Sequence, residues 1–343
     1  MITVILALIV FGILIFIHEL GHFLVARACG VAIREFAIGM GPKIFSWCSK
    51  KYSTQYSLRL LPIGGYVSMV GEDEDSDDEN AFNRKNVWQK MAIIVAGPLM
   101  NILLAILVMF VMVAGFGSLL STTVGDFTEV ATSDDSGLMI DDTILKVNRV
   151  RVHTGNELVY EIMHQGDRPM DLTVLRDGEK IVIPNVVFPT FSESGATFGE
   201  ADFKLYAEPK TVINVVRHGF FRSFSTAKMI WDSLIDMIGG RYGVESMSGP
   251  VGITQEIGKA ARAGFSTLLY ICVVISMNLG IFNLLPIPAL DGGRLFFRII
   301  EAIRGGKPLK PEWESYIHMI GIFVLLALML LISFKDVIGL IRK

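Results

Sequence analysis

The sequence predicts an α-helical multi-span membrane protein with four transmembrane helices, a membrane-associated β element between the first two, and an extracytoplasmic α+β module between the second and third. Three observations carry this. Of 343 residues, 52% are hydrophobic and only 19% charged, too apolar a balance for an ordinary soluble domain. Four segments are apolar over the roughly 20 residues a helix needs to cross a hydrocarbon core. Basic residues gather in two of the connections. The net charge of -3 gives no basic face for nucleic acid.

Residues 1–26 form the first expected span. Nothing basic precedes "TVILALIVFGILIFI" and no small-residue cleavage site follows it, so it reads as an uncleaved helix rather than a signal peptide. Residues 27–90 follow as a connection. Its runs "REFAIGMGPKIFSW" and "YSTQYSLRLLPIGGYVSMVG" mix aromatic and β-branched residues with Gly and Pro, which predicts a small hairpin or sheet close to the membrane. The acidic run from Glu72 to Glu79 reads as a solvated loop, with a cation site as the alternative. Residues 91–116 are the second span.

Residues 117–190 alternate strand-like runs ("TILKVN", "DLTVLRDGEKIVI") with a helical pattern in "GNELVYEIMHQ", which predicts the compact α+β module. Residues 191–264 are expected to be amphipathic helices, lying in the membrane interface or packed under the module. Residues 265–291 form the third transmembrane segment, interrupted by "NLLPIPALDGG". Helix-breaking residues at membrane depth survive only where protein or a water-filled cavity satisfies the freed backbone, so the interruption points to a site. Residues 292–315 are a second connection and 316–336 the fourth span.

Arg27, Arg34, Lys43, Lys50, Lys51, Arg59, Arg84, Lys85 and Lys90 fall in the first connection, and Arg294, Arg298, Arg304, Lys307 and Lys310 in the last. The positive-inside rule makes both cytoplasmic and puts the module and both termini outside. Lys335, Arg342 and Lys343 run against that choice.

The chemistry begins with "FIHELGHFLVARACG" in the first span. An ionisable side chain at the centre of a transmembrane helix costs about 2.5 to 3.5 kcal/mol on insertion scales, so His18, Glu19 and His22 call for a use. Residues four apart share one helix face, which lets both imidazoles reach one metal ion. Glu19 beside them is placed to take a proton from metal-activated water rather than to bind the metal. A hydrolytic zinc site takes a third protein ligand. Asp291 is the candidate, as the one other carboxylate embedded in an apolar span and at the same cytoplasmic end. His318 is the alternative, while His153, His164 and His218 fall in the external segment. Asp291 could also be a plain turn residue before two glycines. Asn278, Asn283, Pro286 and Pro288 are candidates for holding an unwound substrate, the asparagines through hydrogen bonds and the prolines by breaking the helix. The asparagines could equally pair with neighbouring helices. Gly97 and Asn101 suggest close helix packing with a polar contact, or a part in the site. Cys29, Cys48 and Cys272 lack CxxC spacing and read as free thiols.

Together, "HELGH", "FAIGMGPKIF", "LPIGGYVSM", "GPLMN", "SGPVGI" and "NLLPIPALDGGR" resemble the site-2 protease family of intramembrane zinc metalloproteases, in its bacterial regulator-of-sigma-E-protease branch. The resemblance covers nearly the whole chain. It implies one zinc ion held by His18, His22 and Asp291, catalysis by Glu19, and a β element that pairs with the substrate strand. "TSDDSGLMIDDTILKVNRVRV" is similar to a PDZ domain, with Asp141 and Asp142 where Gly-Asp is usual. In the family that module is thought to filter substrates by size. The resemblance further implies single-span substrates such as anti-sigma factors or remnant signal peptides, an upstream site-1-type protease, and the bacterial inner membrane. Two other readings stand beside it: a non-hydrolytic PDZ-containing scaffold with structural zinc, and a metal transporter. A structural zinc normally has four protein ligands, and a transporter needs ligands along a path through the bilayer rather than at one depth.

Overall fold

The structure is a computed structural model that describes the chain apart from Met1, Tyr52, Asp73, Asp75, Ser194, Tyr242, Val244, Glu245, Ser246, Pro308, Lys310, Arg342 and Lys343, and apart from the side chains of Pro62, Ile63, Pro311, Leu340 and Ile341. Three basic residues of the orientation argument, Lys310, Arg342 and Lys343, and two acids of the 72–79 run therefore lie outside the described residues. In chain order come α1 (Ile2–Ala28), β1 (Ile33–Cys48), β2 (Gln55–Met69), α2 (Val87–Gly115), β3 (Leu119–Phe127), β4 (Thr143–Val147), β5 (Val150–Arg151) and α3 (Gly155–Gln165). Then follow β6 (Met170–Arg176), β7 (Glu179–Val186), β8 (Thr190–Glu193), β9 (Ala196–Gly199), β10 (Phe203–Glu208), α4 (Val212–Ile238), α5 (Pro250–Ala263), α6 (Phe265–Leu284), α7 (Asp291–Ile303) and α8 (Pro311–Ile341). The chain divides into two compact units, residues 1–105 with 248–343, and residues 106–247.

The long apolar helices are those expected. Ile2–Ala28, Val87–Gly115, Phe265–Leu284 and Glu312–Gly339 are each long and apolar enough to cross a membrane. They are apolar on all sides, as a helix is when its outer face meets lipid. Ile5, Ile9 and Ile13 of α1 and Phe323, Leu330 and Leu331 of α8 are exposed, while Ala7, Val10 and Leu14 pack with Ile257 of α5 and with Leu268, Ile271 and Ile275 of α6.

The third segment departs from its expected bounds. Helix α6 stops at Leu284, and Leu285 is extended, because a proline at 286 disfavours helical geometry in the residue before it and has no N–H to give. Asp291 does not end this span; it opens α7, within the stretch read as a plain connection. The double glycine that resembles a stop is there for close approach. A Cβ on Gly292 would come 2.6 Å from the Leu284 carbonyl carbon, and one on Gly293 3.0 Å from Pro288 Cα. Helix α7 is also tied to α2 by the buried Lys90–Glu301 pair at 3.0 Å.

The first connection does form a sheet, from β1 and β2. Both strands fold back so that one stretch has two neighbours. Glu35 lies opposite both Ser68 and Gln55, and Ile38 opposite both Gly65 and Leu58, while 45–48 pairs with 55–58. Residues 65–69 therefore have a strand partner on one side only among the described residues. Glu35 accepts hydrogen bonds from Ser57, Tyr66 and Arg59 and pairs with Lys43. Partial burial pushes its pKa up, but those four partners outweigh it and hold the carboxyl at about 2. Ile44, Phe45, Trp47, Leu60 and Leu61 of this sheet are exposed.

In the second unit β10, β3, β4, β6 and β7 lie side by side in that order, with β5 paired to β4. Leu158 and Ile162 of α3 and Ile144, Leu172, Val174 and Val186 of the strands are fully buried in one core. Thr154 and Glu157 cap α3 reciprocally. The module runs further than residue 190. Residues 190–208 form β8, β9 and β10 rather than helix, since Gly195 takes a left-handed turn (φ 84°) between β8 and β9 and β10 extends the sheet at β3. The expected amphipathic helix is α4. Lys228 bonds Glu161 at 2.8 Å, Asp232 accepts from Tyr160 at 2.9 Å, and Asp236 meets His164 at 2.9 Å. Its other face leaves Ile213, Val216, Phe220, Phe224, Trp231 and Ile235 exposed.

Candidate metal centre

Helix α1 carries His18 and His22 on one face one turn apart, both buried, with ring centroids 4.9 Å apart and planes at 78°. The N-terminus of α7 brings Asp291 to them across some 270 residues of chain. His18 Nε2 lies 3.0 Å and His22 Nε2 3.4 Å from Asp291 Oδ2, and the two Nε2 atoms are 3.3 Å apart. Asp291 Oδ2 is buried, and no donor reaches it with hydrogen-bond geometry. A carboxylate oxygen that converges with two imidazole nitrogens, yet is satisfied by neither, has the arrangement of a ligand set around one cation. His18, His22 and Asp291 are the metal-competent group found among the described residues. Two nitrogens and one oxygen fit a hydrolytic zinc site, which takes three protein ligands and keeps a fourth position open.

The alternative ligand, His318, lies outside that group. Its Nδ1 accepts from the Ala289 N–H at 3.1 Å, and a Cβ on Gly321, one turn along α8, would crowd the Pro288 carbonyl carbon at 2.7 Å. Helix α8 thus supports the loop that delivers Asp291, where Ala289 sits in the left-handed region at φ 79°.

Helix α2 supports the histidines from behind. His22 Nδ1 is 2.8 Å from the Ile93 carbonyl, His18 Nδ1 is 3.2 Å from Asn101 Nδ2, and a Cβ on Gly97 would collide with the His22 ring. Gly97 and Asn101 therefore meet the histidines rather than open space. The Ile93 carbonyl, being backbone, leaves no mark in the sequence.

A cavity of about 420 Å³ opens beside His18, His22 and Asp291, lined by Glu19, by Tyr66, Val67, Ser68 and Met69 of the one-sided strand, and by Glu72 and Arg294, which pair with each other. Glu19 stands between the ligands and this strand: a Cβ on Gly65 would lie 3.4 Å from its Cγ. Asn278, Asn283, Pro286 and Pro288 are not among the lining residues. The cavity strand belongs to "LPIGGYVSM", a stretch the sequence marks as part of the β element but does not connect to Glu19.

The sequence profile of peptidase family M50 matches residues 6–328. The chain belongs to that family. This M50 peptidase is similar over 98% of its length to a Clostridium acetobutylicum protein that carries a zinc-metalloprotease name, at 36% identity over 97% of that protein. It is 33% identical to the regulator of sigma-W protease RasP of Bacillus subtilis, and 32% identical to the zinc metalloprotease RasP of Bacillus licheniformis, each over 98% of both chains. The M50 peptidase described here is a zinc metalloprotease with Zn2+ as its cofactor, and its four long apolar helices fit a multi-span protein of the inner membrane.

Proposed function

We propose that this chain hydrolyses a peptide bond within or next to the transmembrane segment of single-span membrane proteins, anti-sigma factors or remnant signal peptides among them, with Glu19 as general base. The observation that carries this reading is the position of Glu19, on the wall of one cavity with the three ligands on one side and a strand free to pair on the other. A transmembrane helix resists hydrolysis because its carbonyls are bonded internally and shielded from water. A substrate added to the 65–69 edge in extended form gives up those bonds and makes new ones to the strand, next to Glu19. His18, His22 and Asp291 would hold the zinc ion, which when bound would supply a nucleophile at neutral pH and polarise the carbonyl. Glu19 takes the proton from the attacking water and returns it to the leaving amine.

The basic connections support a cytoplasmic position for the metal centre, and an outside position for both termini and for residues 119–208, which we read as PDZ-like and as a filter on substrates already trimmed by another protease. The row of exposed Ile, Val, Phe and Trp along α4, opposite a face bonded to α3, supports an interfacial helix. The exposed aromatic and aliphatic side chains of β1 and β2 support membrane association of that sheet. The test incubates purified protein in detergent with a panel of single-span substrates and maps the cuts by mass spectrometry. Native protein should cut within or beside the transmembrane segment; Glu19→Gln should bind zinc and cut nothing. Full cleavage by Glu19→Gln would overturn the mechanism.

A further inference from the structure

One face of α2 holds both metal-binding histidines through the nitrogen that faces away from the metal position, and the two contacts differ in kind. Ile93, Gly97 and Asn101 are four apart and so share that face. His22 Nδ1 meets the Ile93 carbonyl at 2.8 Å. A carbonyl only accepts, so Nδ1 carries the proton there and Nε2 keeps its lone pair for a metal. His18 Nδ1 meets a carboxamide instead, 3.2 Å from Asn101 Nδ2. Asn101 is fully buried, and its Oδ1 has no hydrogen-bond partner among the described residues.

A carboxamide has a donor at one end and an acceptor at the other in nearly the same shape. With Nδ2 toward His18, the ring must accept at Nδ1 and carry its proton on Nε2, which closes that nitrogen to a metal. Turned by half a rotation, the amide presents Oδ1, Nδ1 donates to it, and Nε2 is bare. As placed, the amide leaves Oδ1 without a partner, so what the ring requires decides between the two orientations. We infer that Asn101 is a positioning residue. In the zinc-loaded protein its Oδ1 accepts from His18 Nδ1 and fixes the tautomer that binds zinc through Nε2, as the Ile93 carbonyl does for His22. The inference rests on reading His18, His22 and Asp291 as the zinc site. The scaffold for it is rigid, because Ser276 Oγ of α6 donates to the Asn101 backbone carbonyl at 2.8 Å and a Cβ on Gly280 would sit 2.9 Å from the Pro98 carbonyl.

Three variants of the full-length purified protein test it by zinc affinity, measured by competition with a chromogenic chelator, and by the visible spectrum of the cobalt-substituted form. Asn101→Leu keeps the volume and removes the acceptor; it should loosen zinc by roughly 10- to 100-fold, the usual cost of losing a group that orients a metal-bound histidine, and shift the cobalt bands. Asn101→Asp keeps an acceptor and should stay within a few-fold of native. Ser276→Ala removes one support behind Asn101 but keeps the acceptor, and should cost less zinc affinity than Asn101→Leu. Native affinity in Asn101→Leu, or an equal loss in Asn101→Asp and Asn101→Leu, would overturn the inference while leaving the zinc site standing. Failure of the native protein to bind zinc would overturn the site reading and this inference with it.

Discussion

The two units use the same side chains in opposite ways. In the 106–247 unit, Leu158, Ile144 and Leu172 are fully buried and inward and outward positions alternate along β6, where Met170, Leu172 and Val174 point in. In the other unit, α8 leaves Leu330 and Leu331 more than half exposed, while the buried positions near the metal centre include His18, His22 and Asn101. The first arrangement is what water enforces through the hydrophobic effect. The second is what lipid permits: apolar residues gain little by turning inward, so the interior is left for small residues and polar groups. Where a buried polar group is found therefore means different things. In the module it caps a helix or pairs a charge, as Asp142 does with Arg176 at 2.7 Å; among the spans, His18, His22 and Asn101 gather at one place.

The largest effect that would break this contrast is in the spans. Glu19→Gln should lower the cleavage rate by 10²-fold or more, on the order of a general base's contribution, with zinc content and thermal stability retained; a substrate-cleavage time course beside a metal assay checks both. Asp291→Asn should lower zinc occupancy, read from metal content after dialysis, and unchanged occupancy would return His318 to consideration as the ligand. Next comes the module. Leu158→Ala should cost about 2 to 5 kcal/mol, seen as faster hydrogen exchange in β4 and β6. Leu330→Ala on α8 should cost no more than about 0.5 kcal/mol, because lipid covers that side chain whether or not the helices have packed; equal losses in the two variants would erase the distinction between the units.

The smallest effect concerns Glu35. Its carboxyl titrates at about 2 when folded against 4.5 ordinarily, so its contribution to stability is complete above about pH 4.5 and is lost as pH falls from there through 2. Hydrogen exchange of residues 55–69 should accelerate over that window in the native protein. In Glu35→Gln it should be faster already at neutral pH and flatter across the window.

Much of the centre is legible in the sequence because helices make spacing into geometry. His18 and His22 declare their shared face, and Asp291 stands out as a carboxylate in apolar surroundings. The groups that support them are not legible in the same way. The Ile93 carbonyl has no side chain to betray it, and Asn101 reads as one more polar contact until His18 is placed against it. Helix α7 is hidden because "DGG" has the composition of a turn, whereas here the glycines let a helix start against the carbonyls of Leu284 and Ile287. The strands at 190–208 are hidden by their short length and by Ser and Gly residues that dilute the alternation; only their pairing, β8 with β9 and β10 with β3, makes them strands.

The one-sided strand beside Glu19 sets a mechanical condition on whatever is cut. Five residues span about 7.5 Å as a helix and about 17 Å in extended form, so a segment laid along 65–69 lengthens by roughly 9 Å. That length has to come from the ends of the substrate. A membrane anchor whose flanks are slack can feed chain into the cavity, and one held taut by folded domains on both sides cannot, whatever residues surround its scissile bond.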